Sequence, residues 1–286
     1  MCHYTNDIMP ECQTSVWPAI ADCQKNFHDR MLALWYATHV NVIAIANQKG
    51  GTAKTTSAAA LGVQLSRAGL PTHLIDMDPQ ASLGAAFGIV ESESNLFRAL
   101  NDQTALPITQ IGENLTISAS NIELLRGETE FLARPAREFV LKSSLEETKL
   151  PRECMVLVDC PPSLGVLSIA CLTAASHVML VVQPGGFELK TIVHLRETTD
   201  VLRTHVNPQL EILGALMTNC HRRRRITEHV AQELSTRYRV LGQIRADARL
   251  VNATTAGRIY DLSIPVITED YGQVASGLIK DFFSKR

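Results

Sequence analysis

Asn47-Gln48-Lys49-Gly50-Gly51-Thr52-Ala53-Lys54-Thr55-Thr56 is the stretch on which the reading of this 286-residue chain turns. Before it, residues 40–46 form an apolar, β-branched run, as expected of a strand buried on both faces. After it, residues 55–68 are rich in Ala and Leu and stop before Gly69, the pattern of a helix with a glycine end. A loop of small residues between a strand and a helix is the place where a chain can wrap phosphates. Backbone N–H groups of Gly50, Gly51, Thr52 and Ala53 can point inward there, and the helix N-terminus adds partial positive charge. At this spacing Lys54 reaches β- and γ-phosphates, the Thr55 hydroxyl is offered to Mg²⁺ and Thr56 bonds the α-phosphate. The common G-x-x-x-x-G-K-[ST] pattern is broken twice, by Gln48 at the first glycine position and Ala53 at the second. If position 53 needs positive φ, alanine carries a penalty of about 1 kcal/mol against glycine.

Strand and helix signals alternate outward from the loop. Short apolar strands are predicted at 73–77, 116–119, 155–158, 178–182, 212–217 and 240–244. Helical patterns fall at 122–150, 189–202, 226–238 and 271–283. Alternation of this kind predicts an α/β fold, a mostly parallel sheet with helices on both faces, in a single domain over 40–286. Residues 1–39 show no period and are expected to be a loose extension or an upstream start, with Met31 as an alternative beginning. Their Cys and His spacings match no zinc pattern.

Composition sets bounds. Apolar content is 45%, charged content 20% and net charge −2, so nucleic-acid binding would need a local basic patch. No apolar run reaches the ~20 residues of a membrane span, and the N-terminus lacks a secretory pattern. Seven scattered cysteines, an odd number without a C-x-x-C pair, suit a reducing cytoplasm.

Two more acidic segments end predicted strands, Asp76-Met77-Asp78-Pro79-Gln80 and Asp159-Cys160-Pro161-Pro162-Ser163. Carboxylates at the C-terminal ends of parallel strands face the ligand crevice. Together with Lys49-Gly50-Gly51-x-x-Lys54-Thr55-Thr56, they resemble the deviant phosphate-loop ATPases of the ParA/MinD group, closer to the ParA branch because Gln48 is not glycine. The resemblance runs from about residue 40 to the C-terminus, is strongest over 42–88 and 155–190, and includes Val181-Val182-Gln183-Pro184 as a further strand end.

That resemblance implies a P-loop NTPase fold and a slow, partner-stimulated ATPase using ATP and Mg²⁺. By it, Lys49 crosses a homodimer interface to the partner's ATP, and Asp78 positions or activates the attacking water. Asp76 supports the metal side, Asp159 holds the metal through water and Asn219 reads adenine. It further implies nonspecific DNA binding, a ParB-like or cargo-adaptor protein, and association with the nucleoid when ATP is bound. Residues 221–258 hold nine arginines against three acids, and Arg222, Arg223, Arg224 and Arg225 are the expected DNA contacts. Two alternatives stand beside this reading. One is a MinD-like membrane-placed regulator whose foot is the last helix. The other is a nucleotide-switched binding module with very weak hydrolysis, Ala53 being the suspect. The 39 residues before the first strand are too few for an N-terminal helix-turn-helix domain.

Overall fold

The computed structural model describes residues 40–89, 95–185, 188–221 and 225–283. The N-terminal extension read from the sequence, residues 1–39, lies outside them, as do Arg222, Arg223 and Arg224.

Eight strands form one sheet in the order β3-β4-β2-β5-β1-β6-β7-β8. They are β1 (Asn41–Ala46), β2 (Thr72–Asp76), β3 (Thr109–Gly112), β4 (Leu115–Ser118), β5 (Met155–Asp159), β6 (His177–Val182), β7 (Glu211–Cys220) and β8 (Val240–Arg245). Every pairing is parallel except β3 with β4 at the edge. The α/β expectation is met. Strand β3 was not foreseen, because it has four largely exposed residues and ends in glycine, with none of the apolar signal of a buried strand.

Successive side chains on β1 serve two cores, as a doubly covered strand requires. Ile43 and Ile45 pack with α1 (Lys54–Arg67), α2 (Ser82–Ala86), α9 (Ala248–Thr255) and α10 (Gly272–Phe283). Val42, Ala44 and Ala46 pack with α3 (Leu96–Asp102), α5 (Val140–Glu147), α6 (Val166–Ala174), α7 (Glu188–His205) and α8 (Arg225–Ser235). The predicted helix over 122–150 is instead a chain of short turns, with only α4 (Gly127–Glu130) and α5 α-helical. Pro135 explains the break: it drives Arg134 to an extended φ −89°, ψ 139°, and Ala136 follows at φ 54°.

The closing segment begins earlier than predicted, as a π-helical turn over Val266–Tyr271 that runs into α10. Tyr271, Val274, Ala275 and Leu278 are buried, and Ile279, Phe282 and Phe283 pack against the same core. The Tyr271 hydroxyl meets Ser57 Oγ of α1 at 3.0 Å, and the Phe282 ring stands edge-on to His177. An apolar face taken up by the core is not left for a bilayer, so the membrane-foot reading loses its support. Among the described residues, no helix is long and apolar enough to cross a membrane.

On β2 the His73 ring is fully buried between Thr116 Oγ1 at 2.8 Å and Ser118 Oγ at 3.0 Å, and burial pushes its pKa down to about 4. The unfolded chain, with an ordinary value near 6.5, therefore binds the proton first. Stability tied to His73 is fully present above pH 6.5 and is lost as pH falls toward 4, by roughly 3 kcal/mol in total. Urea unfolding at pH 7, 5 and 4 should show that loss, and His73→Gln should flatten it. Equal slopes in both proteins would contradict the assignment.

Candidate functional site

The quoted loop leaves β1 at the C-terminal edge of the sheet, where β5 lies on one side of β1 and β6 on the other. Crossovers depart in opposite directions at such a point, which opens a crevice outside the strand ends. Side chains hold the loop to both sides. Asn47, buried, donates from Nδ2 to the Val181 carbonyl of β6 at 2.5 Å, and its Oδ1 accepts the Lys49 N–H at 2.9 Å. Thr218 of β7 donates its hydroxyl to the Thr52 carbonyl at 2.9 Å. Within the loop, Thr52 Oγ1 and Lys54 Nζ both donate to the Lys49 carbonyl, at 3.3 and 3.2 Å. Gly50 and Gly51 are exposed, Gly51 at φ 73°, and Thr55 and Thr56 lie half-buried in the first turn of α1. Ala53 sits at φ 66°, ψ 31° as the N-cap of α1, without a side-chain hydrogen bond. The condition set by the sequence is met: this alanine occupies a left-handed conformation that favours glycine.

Lys54 is 7% exposed, and burial lowers its pKa against the pull of Asp159, Cys160 and Asp78. Asp76 and Asp159 are register partners on β2 and β5, both fully buried. Asp76 is a turn clamp. Its Oδ1 accepts the Asp78 N–H at 3.2 Å, and its Oδ2 accepts Leu83 and Gly84 N–H groups at 3.1 and 3.3 Å, pinning the start of α2. Burial and the neighbouring Asp159 raise its pKa, and those backbone bonds oppose the rise. Asp78 is half-buried, and its Oδ1 accepts the Gln80 N–H at 3.0 Å. Neither Asp159 oxygen has a hydrogen bond of ordinary geometry; the Thr55 hydroxyl and Lys54 lower its pKa, and burial raises it more. Buried carboxylates are normally paired or bound to metal. Lys54 feels the carboxylates of Asp159 and Asp78, and Asp76 is the register partner of Asp159. Among the described residues no group of three or more His, Cys, Asp or Glu side chains is arranged to hold a metal ion, so a cation here would take Asp159 and the Thr55 hydroxyl together with oxygens of a bound ligand, a hard-oxygen set that suits Mg²⁺.

Most of the predicted site residues therefore converge on one edge of the sheet. Asn219 is exposed at the end of β7, at φ 52° beside a register shift, one residue after the Thr218 that touches the loop. Two residues that hold the loop had no role in the sequence reading. Asn47 was quoted without one, and Thr218 lies 166 positions from its partner, with no local signal.

The arginine-rich region is less open than its composition suggested. Arg239 pairs with Asp281, Arg245 with Glu269 and Asp270, and Arg249 with Asp247. Of the four predicted DNA contacts, Arg225 alone is described, exposed at the start of α8. A groove of about 620 Å³, lined in part by Arg67, Phe87, Ile111 and Tyr260, touches none of the loop residues, so cavity size does not mark the site.

Known proteins agree with this geometry. The AAA domain family matches residues 40–212. The chromosome partitioning protein ParA of Myxococcus xanthus is 34% identical over 205 residues, 70% of this chain and 72% of that protein. The cobyrinic acid a,c-diamide synthase of Mycobacterium smegmatis, solved with an ATP analogue and magnesium, superposes at TM-score 0.71 with 28% identity, covering 86% of this chain and 97% of that one. A plasmid partition protein of Borrelia burgdorferi bound to AMPPNP reaches TM-score 0.74 over 84% of this chain and 99% of its own; at 24% identity it speaks for the fold alone.

Proposed function

The chain belongs to the ParA family of partition ATPases, and from that premise we propose that it binds Mg-ATP in the 47–56 loop and uses the nucleotide as a dimerisation switch for positioning DNA or another large cargo. Residues 40–286 are the ATPase domain on this reading. The observation that carries it is the Asp159 carboxylate, buried without a partner of ordinary geometry beside Lys54 and Thr55.

Mg²⁺ would supply charge neutralisation at the phosphates and a template for their oxygens. Thr55 and Asp159 would hold it, with Asp76 supporting from its clamped position. Lys54 and the backbone of Gly50 to Thr56 bind and orient the triphosphate, and Asp78 orients the attacking water. Lys49, exposed on the loop, would reach the partner subunit's nucleotide and complete the charge stabilisation there. A site finished by a second copy makes hydrolysis to ADP and phosphate slow alone and sensitive to a ParB-like or cargo-adaptor protein. Asn219 would read adenine. Nonspecific DNA contact would fall to Arg222, Arg223, Arg224 and Arg225, because three downstream arginines are engaged in ion pairs. The setting is the cytoplasm, with nucleoid association in the ATP-bound state.

Calorimetry with ATP, with and without Mg²⁺, tests the reading. Tight uptake only with the metal is expected, and no uptake by folded protein ends it. Light scattering should show an ATP-dependent dimer that Lys49→Ala weakens.

The left-handed Ala53 favours a second reading, a switch that binds ATP and scarcely hydrolyses it. Ala53→Gly relieves about 1 kcal/mol of strain that the loop already carries without nucleotide, so it should stabilise the fold by about that amount. Single-turnover hydrolysis separates the two: a large rise in Ala53→Gly supports the weak-hydrolysis module, and an unchanged rate supports the working ATPase.

A further inference from the structure

Asn219 sits near the end of β7 at φ 52°, a left-handed conformation that a non-glycine residue keeps only where its surroundings fix it. Both of its neighbours are tied down. On one side, Thr218 donates to the Thr52 carbonyl of the 47–56 loop at 2.9 Å. On the other, the Cys220 carbonyl accepts the Ala246 N–H at 3.0 Å, just past the register shift between β7 and β8.

Strand β8 is the last of the sheet on that side, and its end is held from the closing segment. Ala246 donates toward β7, so the N–H of Arg245 faces the open edge of the sheet. Asp270 accepts it there at 2.8 Å, and its two oxygens also accept the Arg245 Nε–H at 2.9 and 3.0 Å. The Asp270 side chain is 11% exposed, against 62% for Glu269, the other acid on that guanidinium. A shielded carboxylate that takes a guanidinium and a backbone N–H together is a stiff joint, unlike an exposed surface pair.

The next residue, Tyr271, is fully buried and meets Ser57 Oγ at 3.0 Å. The Ser57 N–H in turn donates to the Ala53 carbonyl at 2.9 Å. Consecutive residues of one π-helical turn therefore hold the end of β8 and the first turn of α1. With the Thr218 bond they close a ring that runs from the loop through β7, β8 and the closing segment back to α1. Asn219 is an exposed link in that ring.

We propose that Asp270 is a positioning residue for recognition of the nucleotide base: it clamps the end of β8 from a turn anchored on α1, and so fixes Asn219 relative to the phosphate loop. The inference rests on reading the 47–56 loop as the phosphate site and Asn219 as the base contact. A nucleotide has a bounded reach from phosphate to base, so this separation decides whether both ends engage at once. The effect falls on the base end, because the loop keeps its own bonds through Asn47 and Thr52.

Calorimetry on the full chain with Mg-ATP and Mg-tripolyphosphate, which carries phosphates without a base, tests this. Wild type should bind ATP more tightly than tripolyphosphate. Asp270→Ala should weaken ATP about tenfold and leave tripolyphosphate unchanged. Asp270→Asn keeps an oxygen for the Arg245 N–H and should lose about threefold or less. Added to Asn219→Ala, Asp270→Ala should cost nothing further, because both act through one contact. Equal losses on the two probes, additive losses with Asn219→Ala, or failure of both Asp270 variants to fold would mean a purely structural clamp and overturn the proposal. Wild-type protein that takes up no ATP overturns the reading of the loop and this inference with it. An indifferent Asn219→Ala removes the base contact and the inference together. A selective loss in Asn219→Ala with indifferent Asp270 variants overturns this inference alone.

Discussion

Replacing Lys54 with methionine lowers ATP turnover by about 10³-fold and leaves the fold in place. Lys54 Nζ approaches the Lys49 carbonyl at 3.2 Å, so in the free protein the ammonium is directed back toward its own loop. Its long-range partners are the carboxylates of Asp159 and Asp78, which oppose the desolvation of a nearly buried cation. Methionine keeps the aliphatic stem and removes the charge. The loss in rate is that of one preorganised group facing charge that builds in the transition state, a factor of 10²–10³ in kcat, about 3–4 kcal/mol. Loss of the cation also leaves the carboxylates less compensated, which adds electrostatic cost to a site that must accept a polyanion. Phosphate release and nucleotide titration on the same preparation check both effects. The melting temperature should stay within a few degrees, because the charge removed was itself costly to bury. A Lys54→Met protein that hydrolyses ATP at the wild-type rate would remove the loop from the chemistry.

Much of this arrangement is legible in the sequence, and the reasons are physical. Strands β1, β5 and β6 read as near-continuous apolar runs because they are covered on both faces, β2 is equally buried although Thr72 and His73 shorten its run, and the acidic residues that end β2 and β5 mark where the sheet meets the crevice. Position 53 was flagged because it departs from glycine, and the φ of 66° supplies the missing condition. Local pattern carries no information on Thr218, whose tie to the loop arises from parallel pairing of strands distant in sequence. The charged stretch 122–150 reads as helical by composition, whereas Pro135 and the left-handed Ala136 cut it into turns. The arginine-rich segment misleads in the opposite direction. Its charge is concentrated in sequence, yet Arg239 and Arg245 find Asp281, Glu269 and Asp270 of the closing helical segment, outside 221–258, and Arg249 pairs with Asp247 two residues away.

Asp159→Asn should stabilise the free protein and disable the loaded one. The carboxylate is fully buried, neither oxygen has an ordinary hydrogen bond, and its register partner Asp76 is another buried carboxylate. Asparagine keeps the shape, removes the unpaired charge and so relieves its repulsion with Asp76 and Asp78. Loss of the attraction to Lys54 offsets part of the gain, which leaves about 1 kcal/mol, a rise of roughly 2–4 °C in melting temperature for a domain of this size. With nucleotide the sign reverses. A neutral amide holds Mg²⁺ poorly, so metal-dependent ATP affinity should fall about 10²-fold, matching the larger cost of losing a charged partner at a desolvated site. Thermal melts in EDTA and in Mg-ATP make the crossing visible: Asp159→Asn melts above wild type in the first and below it in the second. A lower melting point in both buffers would mean that the carboxylate holds the fold together, and the case for a metal site at the ends of β2 and β5 would fall with it.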